Sequence, residues 1–206
     1  MFTGRVTGVP YVSKDESNLV HLALSGRYSN AAGGIRYKAV TEIYRGPLSV
    51  DTEPMEDVSS TFHSGLEMAW RKGPFILSGE YIQSNVNSST YNDPAFKGYY
   101  VVASYTLSGE MRQYNKRSGL FNRVKVANAV NSGGWGTWEI YSRWSSIDLN
   151  EENIDGGEMN TFSLGLNWWP TSSIQANINY RYSTLDRYGQ TGWNHGIVTR
   201  LVFVLE

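Results

Sequence analysis

Between Thr161 and Ser183 the chain alternates apolar and polar residues with a period of two, the pleat of a β-strand. Phe162, Leu164, Leu166 and Trp168 fall on one side, and Thr161, Ser163, Gly165 and Asn167 on the other. After Pro170-Thr171-Ser172-Ser173 the alternation resumes. Ile174, Ala176, Ile178, Tyr180 and Tyr182 oppose Gln175, Asn177, Asn179, Arg181 and Ser183. The pattern predicts a β-hairpin with one apolar face, aromatic at its ends, and one face that is wet throughout. Soluble sheets alternate too, but their aromatics are central. Terminal aromatics opposite a wet, arginine-bearing face predict the wall of a transmembrane β-barrel.

Extended along the chain, the pattern gives about ten strand-like segments: 3–11, 19–28, 35–43, 62–70, 75–83, 98–107, 135–147, the two arms of the hairpin, and 195–204. Val20, Leu22, Leu24, Phe62, Leu66, Met68, Tyr99, Val101 and Tyr105 are expected outward, and His21, His63, Glu67, Glu80 and Glu139 inward. Polar loops are expected at 45–57, 85–94, 148–158 and 185–192. Short turns at 31–34, 71–74 and 170 fall at one end, and the connections near 13, 50, 90, 153 and 188 at the other. The long connection 109–134 lands among the short turns and breaks this alternation.

Composition narrows the class. A chain of 206 residues suits one all-β domain, 1–206. Its 18 basic and 19 acidic residues leave a net charge of −1, with no basic field for nucleic acid. Mean hydropathy is −0.39 and apolar runs are short, which excludes a helical membrane protein but suits half-polar barrel strands. With no cysteine, disulfides, thiolate metal sites and cysteine nucleophiles are ruled out. Met1-Phe2-Thr3-Gly4-Arg5 does not open like a signal peptide, so an export signal is expected outside this stretch.

Candidate chemistry is sparse. His21, His63 and His195 lie on three strands with no metal spacing and no Ser-His-Asp order, and read as lumen-facing polar residues. Asp148, Asn150, Glu152 and Asp155 lack the glycine and the final acid of a calcium loop, and read as a surface loop. Trp144, Trp168, Trp169, Tyr180 and Tyr182 are expected in interfacial girdles. No catalytic residue, metal or cofactor is expected. Cations remain. Residues 110–125 carry Arg112, Lys116, Arg117, Arg123 and Lys125 against Glu110 alone. Folded into a lumen they would attract anions; left outside they would be a solvated loop. Arg27, Arg143, Arg181 and Arg200 face inward, either as an anion ladder or each paired with a carboxylate such as Glu67, Glu80 or Glu139.

The segment SGEMRQYNKRSGLFNRVK resembles the strand-end-plus-loop signature of the phosphate-selective porins O and P. WEIYSRWSSIDLN, a Gly-Gly loop, LGLNWWP and INYRYS resemble their last hairpins, and HLALSGRYS is similar to an early strand. The similarity runs in order over most of 1–206. It implies a sixteen-stranded, trimeric porin of the bacterial outer membrane, with this stretch its C-terminal part and six strands and a signal peptide before it. Inward-folded loops and lumen arginines and lysines would pass phosphate or polyphosphate by diffusion, without enzymatic chemistry. Its partners would be outer-membrane lipid and small anions. Two features depart from the pattern: Phe203 is followed by Val204-Leu205-Glu206, and the net charge is not positive. A soluble ligand-binding β-barrel would need an apolar inward set. An outer-membrane hydrolase would need a histidine beside a serine.

Overall fold

A computed structural model of the protein describes residues 1–31, 33–42, 46 and 48–204. In chain order its strands are β1 (Phe2–Val12), β2 (Asn18–Asn30), β3 (Lys38–Val40), β4 (Leu48–Asp51), β5 (Ser60–Lys72), β6 (Phe75–Asn87), β7 (Ala95–Thr106), β8 (Tyr114–Asn115), β9 (Leu120–Phe121), β10 (Thr137–Glu151), β11 (Ile154–Thr171), β12 (Ile174–Arg187) and β13 (Gln190–Phe203). Nine of them make one antiparallel wall in the order β1-β2-β5-β6-β7-β10-β11-β12-β13, each paired with its chain neighbour among the nine. The other four form two small ribbons, β3–β4 and β8–β9, carried by the long connections 31–59 and 107–136.

Period-two alternation becomes two faces through the register. Trp144, Phe162, Tyr182 and His195 are successive cross-strand neighbours on β10, β11, β12 and β13. One step away lie Ser142, Leu164, Tyr180 and Ile197, and then Ile140, Leu166, Ile178 and Thr199. Most of the large apolar members of these rows are exposed, Leu164 at 45% and Ile178 at 48%, so this face has no protein cover. The apolar band has edges. At one end Lys97, Asp148, Glu158 and Asp186 share a cross-strand row; at the other, Trp138 and Trp168 stack at 5.3 Å. From Glu158 to Trp168 is ten steps along β11. At about 3.4 Å per step and a tilt of about 40°, that spans about 25 Å, the height of a lipid-facing band.

Several expected loops are in fact strand. The stretch 148–158 continues β10 through Glu151 and starts β11 at Ile154, leaving only residues 152–153 to turn. The stretch 185–192 likewise closes on Tyr188-Gly189, both at positive φ (55° and 68°), the mirror-image turn that matches strand twist. Polar residues misled the loop assignment because strands that rise beyond the hydrocarbon meet water on their outer face. Their inner face is apolar: Val86, Phe96, Leu149, Ile154 and Met159 are buried beneath the connection 31–59, against Val50, Met55 and Val58.

That connection corrects the strand count to nine in the wall. The segment expected as a strand at 35–43 is not a wall strand; its end at residue 43 lies outside the described residues. Ile35, Tyr37 and Ala39 alternate as expected, but they pack on the inner-face cluster instead of lipid. Removing one strand reverses the ends assigned before it. The turn 13–17 joins 73–74, 107–136 and 172–173 at the end where β13 finishes, while 31–59 joins 88–94, 152–153 and 188–189 at the other.

Candidate functional site

The inner face of β10–β13 is polar in successive rows. The row nearest the C-terminal end of β13 reads Thr106, Glu139, Asn167, Asn177 and Arg200 across β7, β10, β11, β12 and β13. The next reads Ser104, Tyr141, Gly165, Asn179 and Val198, and the third Val102, Arg143, Ser163, Arg181 and Gly196. A hydrogen-bond relay crosses these rows. Arg181 Nε donates to Asn179 Oδ1 (2.8 Å), Asn179 Nδ2 to Asn177 Oδ1 (2.8 Å), Asn177 Nδ2 to Asn167 Oδ1 (2.7 Å), and Asn167 Nδ2 to Glu139 Oε1 (2.9 Å). Each amide is oriented by the next. This ordering was invisible in the sequence, where the same asparagines read only as a wet face.

Part of the basic connection 107–136 folds onto the inner face. Its segment 110–121, here called the strap, crosses the inner face from β10 to β1, β2 and β5. Arg112 reaches Glu139 with three N–H···O contacts of 3.0–3.2 Å and lies 5.3 Å from the Trp169 ring. Trp169 is therefore an inner-face residue, 8% exposed, and not a girdle member. Farther along, Tyr114 Oη meets His21 Nδ1 at 2.6 Å, and burial raises the Tyr114 phenol above its ordinary range. Arg5 Nη1 donates to the Ser118 carbonyl (3.3 Å), and Lys116 pairs with Glu16 (3.2 Å). Gly119, at φ +67°, lies so close to β1 that a Cβ there would meet Thr7 Cγ2 at 3.1 Å.

From the opposite end the connection 31–59 brings Glu42 to Arg143, whose guanidinium also lies 5.0 Å from the Tyr100 ring. Arg36 forks onto Asp51 (Nε–Oδ1 2.7 Å) and holds that carboxyl below its ordinary range, against burial, which acts the other way. Arg187 Nη2 donates to the Asp51 carbonyl (2.7 Å), tying the ribbon to β12.

The structure thus sorts the nine candidate cations. Arg112, Arg143, Arg181 and Arg200 converge on one cavity of about 980 Å³, whose carboxylates are Glu42 and Glu139. Arg27 stands apart, beside Arg36, Tyr37 and His63 in a separate hollow of about 440 Å³. Lys116 is spent on Glu16, and Arg117, Arg123 and Lys125 are exposed, with no ion pair among the described residues. The pairing alternative fits only Arg143, and through Glu42 instead of a wall carboxylate. Glu67 is taken by Arg5 (2.6 Å) and Glu139 by Arg112. Arg27, Arg181 and Arg200 form no ion pair among the described residues. The histidines do not share one environment either. His195 is on the outer face, 3.3 Å from Tyr180 Oη and edge-on to Trp193, because residue 195 faces Tyr182 across β12–β13.

A sheet bare and apolar outside, polar and cationic inside, with two connections folded onto its inner face, is the wall of a transmembrane β-barrel. Residues 45–205 match the family model described as phosphate-selective porin O and P, and the chain belongs to that family of non-enzymatic outer-membrane porins. Over 154 residues, 68% of this chain and 34% of the relative, it is 30% identical to Porin O of Pseudomonas aeruginosa. An uncharacterized protein of Caulobacter vibrioides is 26% identical over 190 residues, 90% of this chain and 38% of that protein. The chain spans about a third of the length of these curated relatives.

Proposed function

We propose that the protein forms part of a water-filled channel through which small anions, phosphate and polyphosphate among them, diffuse passively. The observation that carries this reading is the cavity between wall and strap, where Arg112, Arg143, Arg181 and Arg200 oppose Glu42 and Glu139. Four cations against two anions leave a local excess of two positive charges in a chain of net charge −1. Fixed charge at a constriction flanked by low-dielectric walls concentrates the opposite ion. Guanidinium forks match oxyanions in particular, and among the described residues Arg181 is held by its Nε alone, leaving its terminal nitrogens for a passing ion. The family description supports phosphate as one such ion.

The closed channel needs more than these nine strands. β1 and β13 are the two ends of the sheet and run parallel, and an unpaired strand edge in hydrocarbon is costly. Antiparallel closure requires an even total, so an odd number of further strands completes the barrel; seven would give sixteen. We carry the homotrimer over from the family resemblance on the same footing. Reversal potentials across planar bilayers in chloride and phosphate gradients test the reading. The completed barrel should prefer anions, and the double variant R181Q/R200Q in it should lose most of that preference. A non-selective or cation-preferring channel refutes it.

A further inference from the structure

We propose that Arg71 is the pin that holds the strap across the lumen, and that it thereby sets the position of Arg112 in the conduction path. The proposal rests on the channel reading above for its consequence but not for its geometry. Arg71 lies on β5, just before the turn 73–74, with its side chain inward and only 2% exposed. It forms no ion pair with a carboxylate among the described residues. Nη1 donates to the Arg112 carbonyl (2.7 Å), Nη2 donates to the Glu16 carbonyl, and Nε has no partner among the described residues. The guanidinium carbon lies 5.8 Å from the Phe121 ring, on the far side of the strap.

A guanidinium sealed from water without a carboxylate in contact is unfavourable unless its donors are hydrogen-bonded. Here they join two separate segments, the turn 13–17 and the strap, to the wall. A planar fork aims two separate nitrogens at two divergent carbonyls, whereas all three donors of a lysine ammonium leave one nitrogen. The consequence falls on Arg112. Its carbonyl is held from β5 by Arg71, while its side chain is held from β10 by Glu139. β6 and β7 lie between those strands, so the two anchoring strands are about 14 Å apart along the sheet, and Arg112 bridges them over the inner face. Of the other strap contacts, those to Arg5 and Glu16 are made by exposed groups, and those of Glu110 with Thr137 and Tyr114 with His21 flank Arg112 without touching its carbonyl. Releasing Arg71 therefore frees the backbone of Arg112 while leaving its charge in place. Arg71 is a positioning residue: it selects ions only through another.

The chain has no cysteine, so a pair introduced at Lys72 and Gln113 gives two spin labels on exposed wall and strap positions. The wild-type background should give one narrow distance distribution and R71M a broad, longer one. In bilayers R71M should at least double the single-channel conductance and lower the anion-to-cation permeability ratio several-fold. R71K keeps the cation but donates from a single nitrogen, so it should broaden the distribution partway; it also serves if R71M does not insert. A narrow, wild-type-like distribution in R71M, or in R71K where R71M fails, overturns the proposal. If the wild-type channel shows no anion preference, the channel reading fails, and the distance measurement still decides the role of Arg71.

Discussion

Glu139 offers a charge neutralisation that the lumen geometry makes quantitative. The carboxylate is 4% exposed and accepts from Arg112 and Asn167, so it neutralises the one strap cation that lines the cavity. Glutamine has the same shape and keeps an oxygen for both donors, so E139Q should leave the strap in place under Arg71 and unmask Arg112. A sphere of about 980 Å³ has a radius of about 6 Å, so an anion at its middle passes roughly 8 Å from this carboxylate. At that distance a unit charge contributes about 0.5 kcal/mol in bulk water and about 2 kcal/mol at an effective dielectric of 20. With tenfold per roughly 1.4 kcal/mol, the anion permeability should rise by a factor of about 2 to 30, and the anion-to-cation ratio by about the square of that, since the cation loses what the anion gains. Screening gives an internal control: the Debye length falls from about 10 Å at 0.1 M salt to about 3 Å at 1 M, so the gain should largely vanish at high salt. Reversal potentials of wild type and E139Q at both concentrations are the assay. An unchanged or reduced anion preference at 0.1 M refutes the placement of Arg112 in the path. The reciprocal variant R112Q strands a buried carboxylate, and should cost about 3–5 kcal/mol of stability as well as selectivity, read from the temperature at which the folded band is lost in detergent.

Other expectations follow from particular contacts. Spin labels at Leu164 and Ile178 should report hydrocarbon and labels at Asn167 and Asn177 water; the opposite result would turn the wall inside out. Gly136 lies at φ +71°, where a Cβ would meet the Pro170 Cα at 2.9 Å, so G136A should destabilise the return of the basic connection by about 1–2 kcal/mol or more in thermal unfolding. Asp15, in the turn 13–17, is held at about 2 from an ordinary 3.8, first by the Ser13 hydroxyl and then by Ser17. Its folded value is depressed, so its contribution is complete above the ordinary value and is lost as pH falls from about 4 toward 2. The protection of the turn amides relative to the unfolded-chain exchange rate at each pH should fall over that window in wild type and show no such step in D15N.

The local alphabet of this protein is written in its sequence. A period of two with aromatics at the margins determined strand, face and membrane class from Phe162 to Tyr182, because each residue's side of the pleat depends only on its position in the strand. The hairpins were equally legible where a short turn joined two clear alternations. What alternation does not specify is the solvent met by the apolar side. Ile35, Tyr37 and Ala39 alternate as a wall strand would, yet they pack on Phe96, Leu149 and Met159; the signal was there, since those inner positions are themselves apolar and needed a cover. Asp148 and Asp186 looked like loop residues because strands rising into water carry the same charges as loops. Charge partners lie further from the sequence still. Arg5 with Glu67, Arg112 with Glu139 and Arg143 with Glu42 are separated by 62, 27 and 101 positions, and only the fold brings them within reach. The sequence alone determined that this chain makes a wall with a cationic wet side. Which cations stay free, and where the strap crosses, are long-range distances that only the tertiary structure decided.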